Sequence, residues 1–487
     1  MRSSRFRFRH RALFLLLFLA AALLRAQVAP PRPAEAPEQD KTHISKQQAD
    51  ELFRSVDEIL KWVSQDTGLP IKHPVKRALA SRTQVQKYVE EHMKDDEDAQ
   101  RLARSELVLK KFGLVPREFD LGKFLVQLLR EQVVGFYDPK KKTVFLLDWV
   151  EPDAQKPVLA HELTHALQDQ NYELEKWQRA GMPSAAEERK AERESEKDAA
   201  TERRNLASEI AADELQTARQ AVTEGQGMAV LIDYMLAPMH RTIVDSPELV
   251  EQMKRAMTST NDSPVFARAP LALQLSLTFP YRYGLGFEQT LLKRGGKEMA
   301  FAHVMESPPT TSRQVLEPLR YVSKEHVPAL PVFAVGNLLG PQFERFDVGA
   351  IGEFDLYLLS DAWSGEEDAA RVAPTWRGGY YYAAAEKRAK GAAPPKTTAD
   401  VKLLYVSRWD SEQSAHDFAE FYAKSLEKRY TNVQPSVSRA GEAVAWRTSE
   451  GLVTIFTSGD RIVITEGFEP TVAQKLREAA LKAEAAP

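Results

Sequence analysis

Three residues in the segment Val158-Leu-Ala-His-Glu-Leu-Thr-His-Ala-Leu-Gln-Asp169 have the types and spacing for metal chemistry. They are His161, Glu162 and His165, in the pattern H-E-x-x-H. On a helix, residues four apart share a face about one turn apart. Both imidazoles then point the same way, at a separation one tetrahedral Zn²⁺ accepts. Glu162 follows the first imidazole, where its carboxylate can reach a water held by the metal without becoming a ligand. A third protein ligand is still needed. Glu224 is the favoured candidate, because it is the only acid between Ala218 and Ile232. It opens a nearly apolar stretch, Ala221 to Tyr234, in which Gly225, Gly227 and Ala229 let two helices approach closely. A His-His-Glu set leaves the fourth position open for water. Asp233 and His240 are weaker candidates: Asp233 belongs to a later turn, and His240 follows a break at Pro238.

The elements that must position these groups are partly legible. Leu159, Leu163, Ala166 and Leu167 form an apolar stripe at helical spacing, and neither Gly nor Pro interrupts Val158 to Glu175. Pro157 suits the first turn of that helix, where a missing N–H does no harm. Just before it, Val133 to Tyr137 and Thr143 to Leu147 read as a hairpin turning at Asp138-Pro-Lys. Its edge either packs the helix or pairs with an extended peptide by strand addition. Upstream, Ile44 to Ser64, Val75 to Lys94, Ala99 to Phe112 and Phe119 to Leu129 read as amphipathic helices. His73 and His92 fall here as surface residues. Downstream, Ala185 to Val222 is dominated by mixed charges at helical spacing, a solvated helix with no chemistry assigned. A helix opens at Phe279 and stops at Gly295-Gly296; a second runs from Glu298 to Met305, and Pro308-Pro-Thr-Thr turns into a capped helix.

With 487 residues and a net charge of −3, two or three domains are expected and no general attraction to nucleic acid is implied. Arg2 to Arg11 carries five arginines, and Ala12 to Leu24 is an unbroken apolar run. Such a run rises about 20 Å as a helix, short of the ~30 Å hydrocarbon core. Residues 1–26 therefore read as a cleaved export signal with Leu24-Arg25-Ala26 at its end, and residues 27–42 as a Pro/Ala-rich linker. The expected address is periplasmic or extracellular, with no stable membrane insertion after cleavage. The sequence has no cysteine, which excludes disulfides, a thiolate zinc site and a Cys nucleophile.

Together these segments resemble a gluzincin-type metallopeptidase. More closely, they resemble a family of exported bacterial and archaeal proteins sharing five patterns: G-[FY]-Y-D-P, H-E-L-T-H-A-L-Q-D-Q, E-G, P-Y-x-x-G-x-x-F and P-P-x-[ST]-x-x-Q-[VI]-L. Here these are Gly135 to Pro139, His161 to Gln170, Glu224-Gly225, Pro280 to Phe287 and Pro308 to Leu316. The resemblance implies Zn²⁺ on His161, His165 and Glu224, with Glu162 as base. A metzincin would place a third histidine where Asn171 stands. Thermolysin-like gluzincins carry an Asp four residues after the glutamate ligand to orient a histidine; here that place is Met228, so the orienting partner lies elsewhere. Glu317 stands where a histidine is expected.

The fold expected is α+β. A mostly helical zincin-like domain spans 43–325, with its helical part at 43–130 and its catalytic part at 131–325. A smaller C-terminal domain spans 340–487. In it, Thr375 to Ala383, Val401 to Ser407, Ala443 to Arg447, Leu452 to Thr457 and Arg461 to Thr465 read as strands. The helix Asp410 to Lys428 would lie on one face of their antiparallel sheet. Trp376, Tyr380 to Tyr382 and Trp409 form either a binding face or core. The function expected is hydrolysis of a peptide or protein substrate. The alternative is an idle or structural zinc protein serving as a binding module. For the donor to a developing oxyanion, Tyr234, His240, Tyr281, Tyr283 and Arg320 all remain open.

Overall fold

The computed structural model describes residues 44–85, 87, 96–132, 135–182, 198–258, 263–389, 393–436 and 443–483. The expected signal and linker, His92, Val133 and the first part of the charged run, 185–197, lie outside them. The chain is α+β.

The first helix, α1 (Lys46–Thr67), starts where Ser45 and Gln48 cap each other reciprocally and ends at Gly68, whose φ of 77° needs no Cβ. Its stripe of Leu52, Val56, Ile59, Leu60 and Val63 is buried. The next segment departs from expectation. Lys76–Ala80 is a strand, β1, rather than the start of a helix, because it pairs in parallel with the returning hairpin strand. Tertiary pairing here overrides a helical pattern. Helices α2 (Asp96–Phe112) and α3 (Leu121–Gln132) follow. The hairpin strands are β2 (Phe136–Asp138) and β3 (Thr143–Leu147), in the order β1-β3-β2. Asp138 ends its strand, and its Oδ1 accepts from the Lys140 and Lys141 N–H groups to fix the turn.

The H-E-x-x-H helix, α4, runs from Pro152 to Tyr172. It begins earlier than Val158, so Pro152 takes the first turn and Pro157 sits inside. It ends at Glu173, which adopts φ 52° and hands over to α5 (Leu174–Arg179). The charged and apolar stretches downstream join in one 38-residue helix, α6 (Ala199–Leu236), capped by the Asp198 side chain. After α7 (Pro247–Ala256) comes α8 (Leu271–Lys297), which starts eight residues before Phe279 and carries Pro280 inside. Gly296 breaks it at φ 65°, at the expected place, and one π-helical turn follows at Glu298–His303. Helices α1, α4, α6 and α8 and strand β3 share one apolar core.

Two short helices, α9 (Ser312–Leu316) and α10 (Pro318–Val322), lead to the C-terminal part. That part holds β4 (Phe343–Ala350), α11 (Glu353–Ser364), α12 (Glu366–Val372), β5 (Trp376–Glu386), β6 (Val401–Trp409), α13 (Glu412–Arg429), β7 (Gln434–Ser436), β8 (Val444–Thr448), β9 (Gly451–Ser458), β10 (Arg461–Glu466) and α14 (Pro470–Lys482). The antiparallel sheet has the order β4-β5-β6-β10-β9-β8-β7. Helices cover both faces rather than one, as the alternation along β6 requires. Leu403 and Tyr405 pack with Phe418 and Tyr422 of α13, whereas Leu404 and Val406 pack with Leu476 of α14. Trp376, Tyr380 to Tyr382 and Trp409 are core.

The boundary between the two parts is not a boundary in packing. Leu107, Val108 and Phe112 of α2 belong to the C-terminal core. Lys111 is buried and reaches Glu450 at 2.8 Å, and Arg117 bonds Glu450 as well. The Pro308–Leu316 segment serves the same junction. Arg313, fully buried, binds Glu325 and Glu353, and Ser312 donates through its N–H and hydroxyl to Glu214 of α6.

Glu214 gives this junction a pH dependence. Burial, with Asp355 and Glu353 nearby, pushes its carboxyl up to about 8. The unfolded chain releases that proton near pH 4.3, so the folded state binds more protons between those values and stability falls as pH rises through them. Glu214→Gln should flatten that fall. The variant should match the wild type near pH 4 and exceed it at pH 8 by on the order of a few kcal/mol. Melting temperatures across pH 4–9 check this, and parallel curves would remove Glu214 as the cause.

Candidate functional site

The site is built where α4 and α6 cross. His161 and His165 lie one turn apart on the buried face of α4, and their Nε2 atoms are 3.0 Å apart. Glu224 of α6 brings Oε2 to 3.4 Å from His161 Nε2 and 3.6 Å from His165 Nε2. All three side chains are at most 2% exposed. The structure thus brings together the three residues read as ligands from the sequence. They are the one group of three or more His, Cys, Asp or Glu among the described residues whose ligand atoms lie within 4.8 Å of one another.

Glycines make this convergence possible. A Cβ at Gly227 would lie 2.6 Å from His161 Cε1 and 2.7 Å from its Nδ1, so the imidazole occupies the space that a side chain there would take. A Cβ at Gly225 would lie 2.4 Å from the Gly284 carbonyl oxygen, and one at Gly284 would lie 2.2 Å from the Ala221 oxygen. The E-G and P-Y-x-x-G patterns therefore meet at the crossing of α6 and α8. Of the three small residues read as a helix-approach surface, Gly225 faces α8 and Gly227 faces His161.

Glu162 sits beside the three candidate ligands, 2% exposed. Its Oε2 accepts the Tyr137 N–H at 2.8 Å, and its Oε1 has no hydrogen-bond partner. The outer N–H of Tyr137 on β2 is thus spent on the carboxylate, which favours the packing role of the hairpin at that residue. The rest of the H-E-L-T-H-A-L-Q-D-Q pattern is also accounted for. His165 Nδ1 lies 2.8 Å from Gln168 Oε1, so Gln168 is the orienting partner that the sequence left unassigned. Asp169 accepts from the Tyr137 hydroxyl at 2.7 Å and from Lys142 at 2.5 Å. Gln170 ties Lys72 and His73 to the helix. Met228 is buried in an apolar cluster with Tyr281 and Leu285.

Burial opposes charge throughout the site. It pushes the Glu162 carboxyl up to about 8 and the His161 imidazole down. At His165 burial is outweighed by the adjacent Glu224 carboxylate, which holds the imidazole up at about 9. Burial is likewise outweighed at Glu224, which the two imidazoles keep below the usual carboxylate range. Neither Glu224 oxygen makes a well-formed hydrogen bond; Oε2 has only the two imidazoles at 3.4 and 3.6 Å, and Oε1 has none. A buried carboxylate left so is costly unless a cation meets it. Zn–N and Zn–O bonds of about 2.0–2.1 Å in a tetrahedron separate ligand atoms by roughly 3.3–3.4 Å. One nitrogen–oxygen separation, 3.4 Å, matches that spacing, the other is longer at 3.6 Å and the nitrogen pair is closer at 3.0 Å, so the donor set brackets the spacing of a zinc-sized ion.

The weaker ligand candidates are elsewhere. Asp233 accepts from the Ile243 N–H at 2.6 Å, and His240 is exposed after α6 ends. Among the oxyanion-donor candidates, Arg320 is held by Glu317 and Glu325, Tyr234 packs edge-on against Trp62, and Tyr283 packs against Phe279. Tyr281 is fully buried.

No curated protein and no solved structure matches the chain. A family described as "Domain of unknown function (DUF8575)" matches residues 343–477, so the chain is similar to that family over its C-terminal sheet, in a region that contains none of the site residues.

Proposed function

We propose that the protein is an exported zinc-dependent metallopeptidase with a zincin-like catalytic part. His161, His165 and Glu224 would hold the metal, and Glu162 would be the general base. One observation carries the reading: two imidazoles and a buried carboxylate with no well-formed hydrogen bond converge from different helices, with a second carboxylate beside them that keeps one oxygen free. When bound, Zn²⁺ supplies Lewis acidity, lowering the pKa of a water and polarising a carbonyl. The chain's part is positional. The Tyr137 N–H holds one oxygen of Glu162 and leaves the other to take a proton and deliver it to the leaving amine. The approach of exactly three candidate ligands among the described residues, with His240 exposed, supports an open fourth position over a closed structural site. Export is supported by the arginine-rich start and apolar run at residues 1–26.

The test is a metal assay combined with turnover of a mixed peptide library. The wild-type protein should carry one zinc per chain and cleave peptides. His165→Ala should lose both the metal and the cleavage, and a variant that keeps both would refute the ligand assignment.

A further inference from the structure

We propose that Gln168 is a positioning residue that keeps the His165 proton on Nδ1, and that Gln226 supports it from the facing helix. The inference rests on the metal-centre reading for its purpose, though its geometry stands without a metal. Two backbone carbonyls set the direction of every bond, because a carbonyl oxygen can only accept. Gln226 Nε2 donates to the Ala300 carbonyl at 2.7 Å, within the π-helical turn after α8. That leaves Gln226 Oε1 to accept, and Gln168 Nε2 donates to it at 2.7 Å. Gln168 Nε2 also donates to the Thr223 carbonyl at 3.2 Å, so both of its amide protons are spent on α6. The Gln168 oxygen must then face His165, and at 2.8 Å it requires a proton on Nδ1. Nε2, the atom facing Glu224 and His161, is thereby the ring nitrogen that offers its lone pair to a metal.

The same bonds have a second effect. Thr223 adjoins Glu224, so Gln168 links the helix that carries the imidazoles to the helix that carries the carboxylate, next to the ligand itself. Of the five residues all but Ala300 lie on α4 and α6, and His165, Gln168, Thr223 and Gln226 are buried. Water therefore does not compete for these bonds. Outer partners of this kind fix ring orientation, and their loss lowers metal affinity by roughly 10–100-fold.

The test compares wild type with Gln168→Leu, Gln168→Glu and Gln226→Leu in the full chain. Zinc affinity is read by competition with a chromophoric chelator. The His165 Nδ1 proton is read in long-range ¹H–¹⁵N spectra of the ¹⁵N-histidine-labelled protein, with and without zinc. Gln168→Leu should bind zinc roughly 10–100-fold more weakly and lose the exchange-protected Nδ1 proton. Gln168→Glu keeps an acceptor for His165 but turns its second oxygen toward the Thr223 and Gln226 oxygens, so it should keep the Nδ1 proton while losing the tie to α6 and part of the affinity. Gln226→Leu should fall between, since Thr223 still holds the Gln168 amide. Wild-type affinity with an intact protected proton in Gln168→Leu would overturn the proposal. So would a Gln168→Glu protein that lacks the protected proton as Gln168→Leu does, because an acceptor at that position would then not be what holds it. Should the wild type take up no zinc while its protected proton is present and is lost in Gln168→Leu, the positioning role stands and the metallopeptidase reading falls.

Discussion

Glu162→Gln should retain zinc and lose peptide hydrolysis by about 10²–10⁴-fold, the range that a positioned acid–base group contributes. The substitution is nearly isosteric, and the Gln carbonyl can still accept the Tyr137 N–H that holds Oε2 at 2.8 Å. The side chain should therefore stay in place. What is lost is a lone pair basic enough to take a proton, at the oxygen that has no partner in the protein. Stability should not suffer, because a buried carboxyl that burial already disfavours as an anion is replaced by a neutral amide. The measurement is metal content and melting temperature alongside turnover of the peptide library. Undiminished hydrolysis at full metal loading would remove Glu162 from the mechanism.

The second large effect separates two glycines that are two residues apart. At Gly227 the atoms in the way are those of the His161 ring, 2.6–3.0 Å from a new Cβ. A ring at the end of a side chain can swing aside at small cost, and Ala gains up to about 1 kcal/mol over Gly in a helix interior. Gly227→Ala should therefore fold with a melting temperature close to that of the wild type. Its zinc affinity should nonetheless fall by more than the roughly 10–100-fold typical of an outer partner, because a ligand itself is displaced. At Gly225 the obstacle is backbone, the Gly284 carbonyl at 2.4 Å, which cannot swing aside. Gly225→Ala must push α6 from α8, and overpacking of this kind costs about 1–3 kcal/mol, more than propensity returns. It should melt several degrees lower. If the two variants exchanged behaviours, or if Gly227→Ala bound zinc normally, the packing account of the E-G-x-G stretch would fail.

The site was more legible than the scaffold around it, for a physical reason. Ligand spacing on a helix is local, so His161, Glu162 and His165 reveal their geometry in five residues. Glu224 stood out because its neighbours are small and apolar, a contrast visible without any contact map. The Gln168 and Gln226 bonds depend on a crossing between distant helices, and nothing in either glutamine's surroundings announces its partner. Strand β1 shows the opposite failure. Lys76–Ala80 lies in a stretch with a helical pattern and becomes a strand because β3 lies ready beside it. The start of α8 went unread because Pro280 suggests a beginning, yet a helix packed against α6 tolerates the proline inside. The antiparallel sheet was legible strand by strand from Gly-containing turns. That both of its faces are covered, and that α2 supplies part of its core, depends on contacts hundreds of residues apart.

The length of α6 has a mechanical consequence. Near its start, Glu202 accepts from the Val335 and Gly336 N–H groups; further along, Glu209 pairs with Arg345 and Asp213 accepts from the Ala350 N–H. From Glu202 to Glu224 is a lever of about 33 Å at 1.5 Å per residue. A tilt of one degree about its far end would carry the carboxylate about 0.6 Å, beyond the ±0.2 Å that coordination distances tolerate. The row of acidic grips along the rod thus sets the tilt at which α6 arrives, and the Gln168–Thr223 bond and the Gly225–Gly284 contact clamp the tip that carries Glu224.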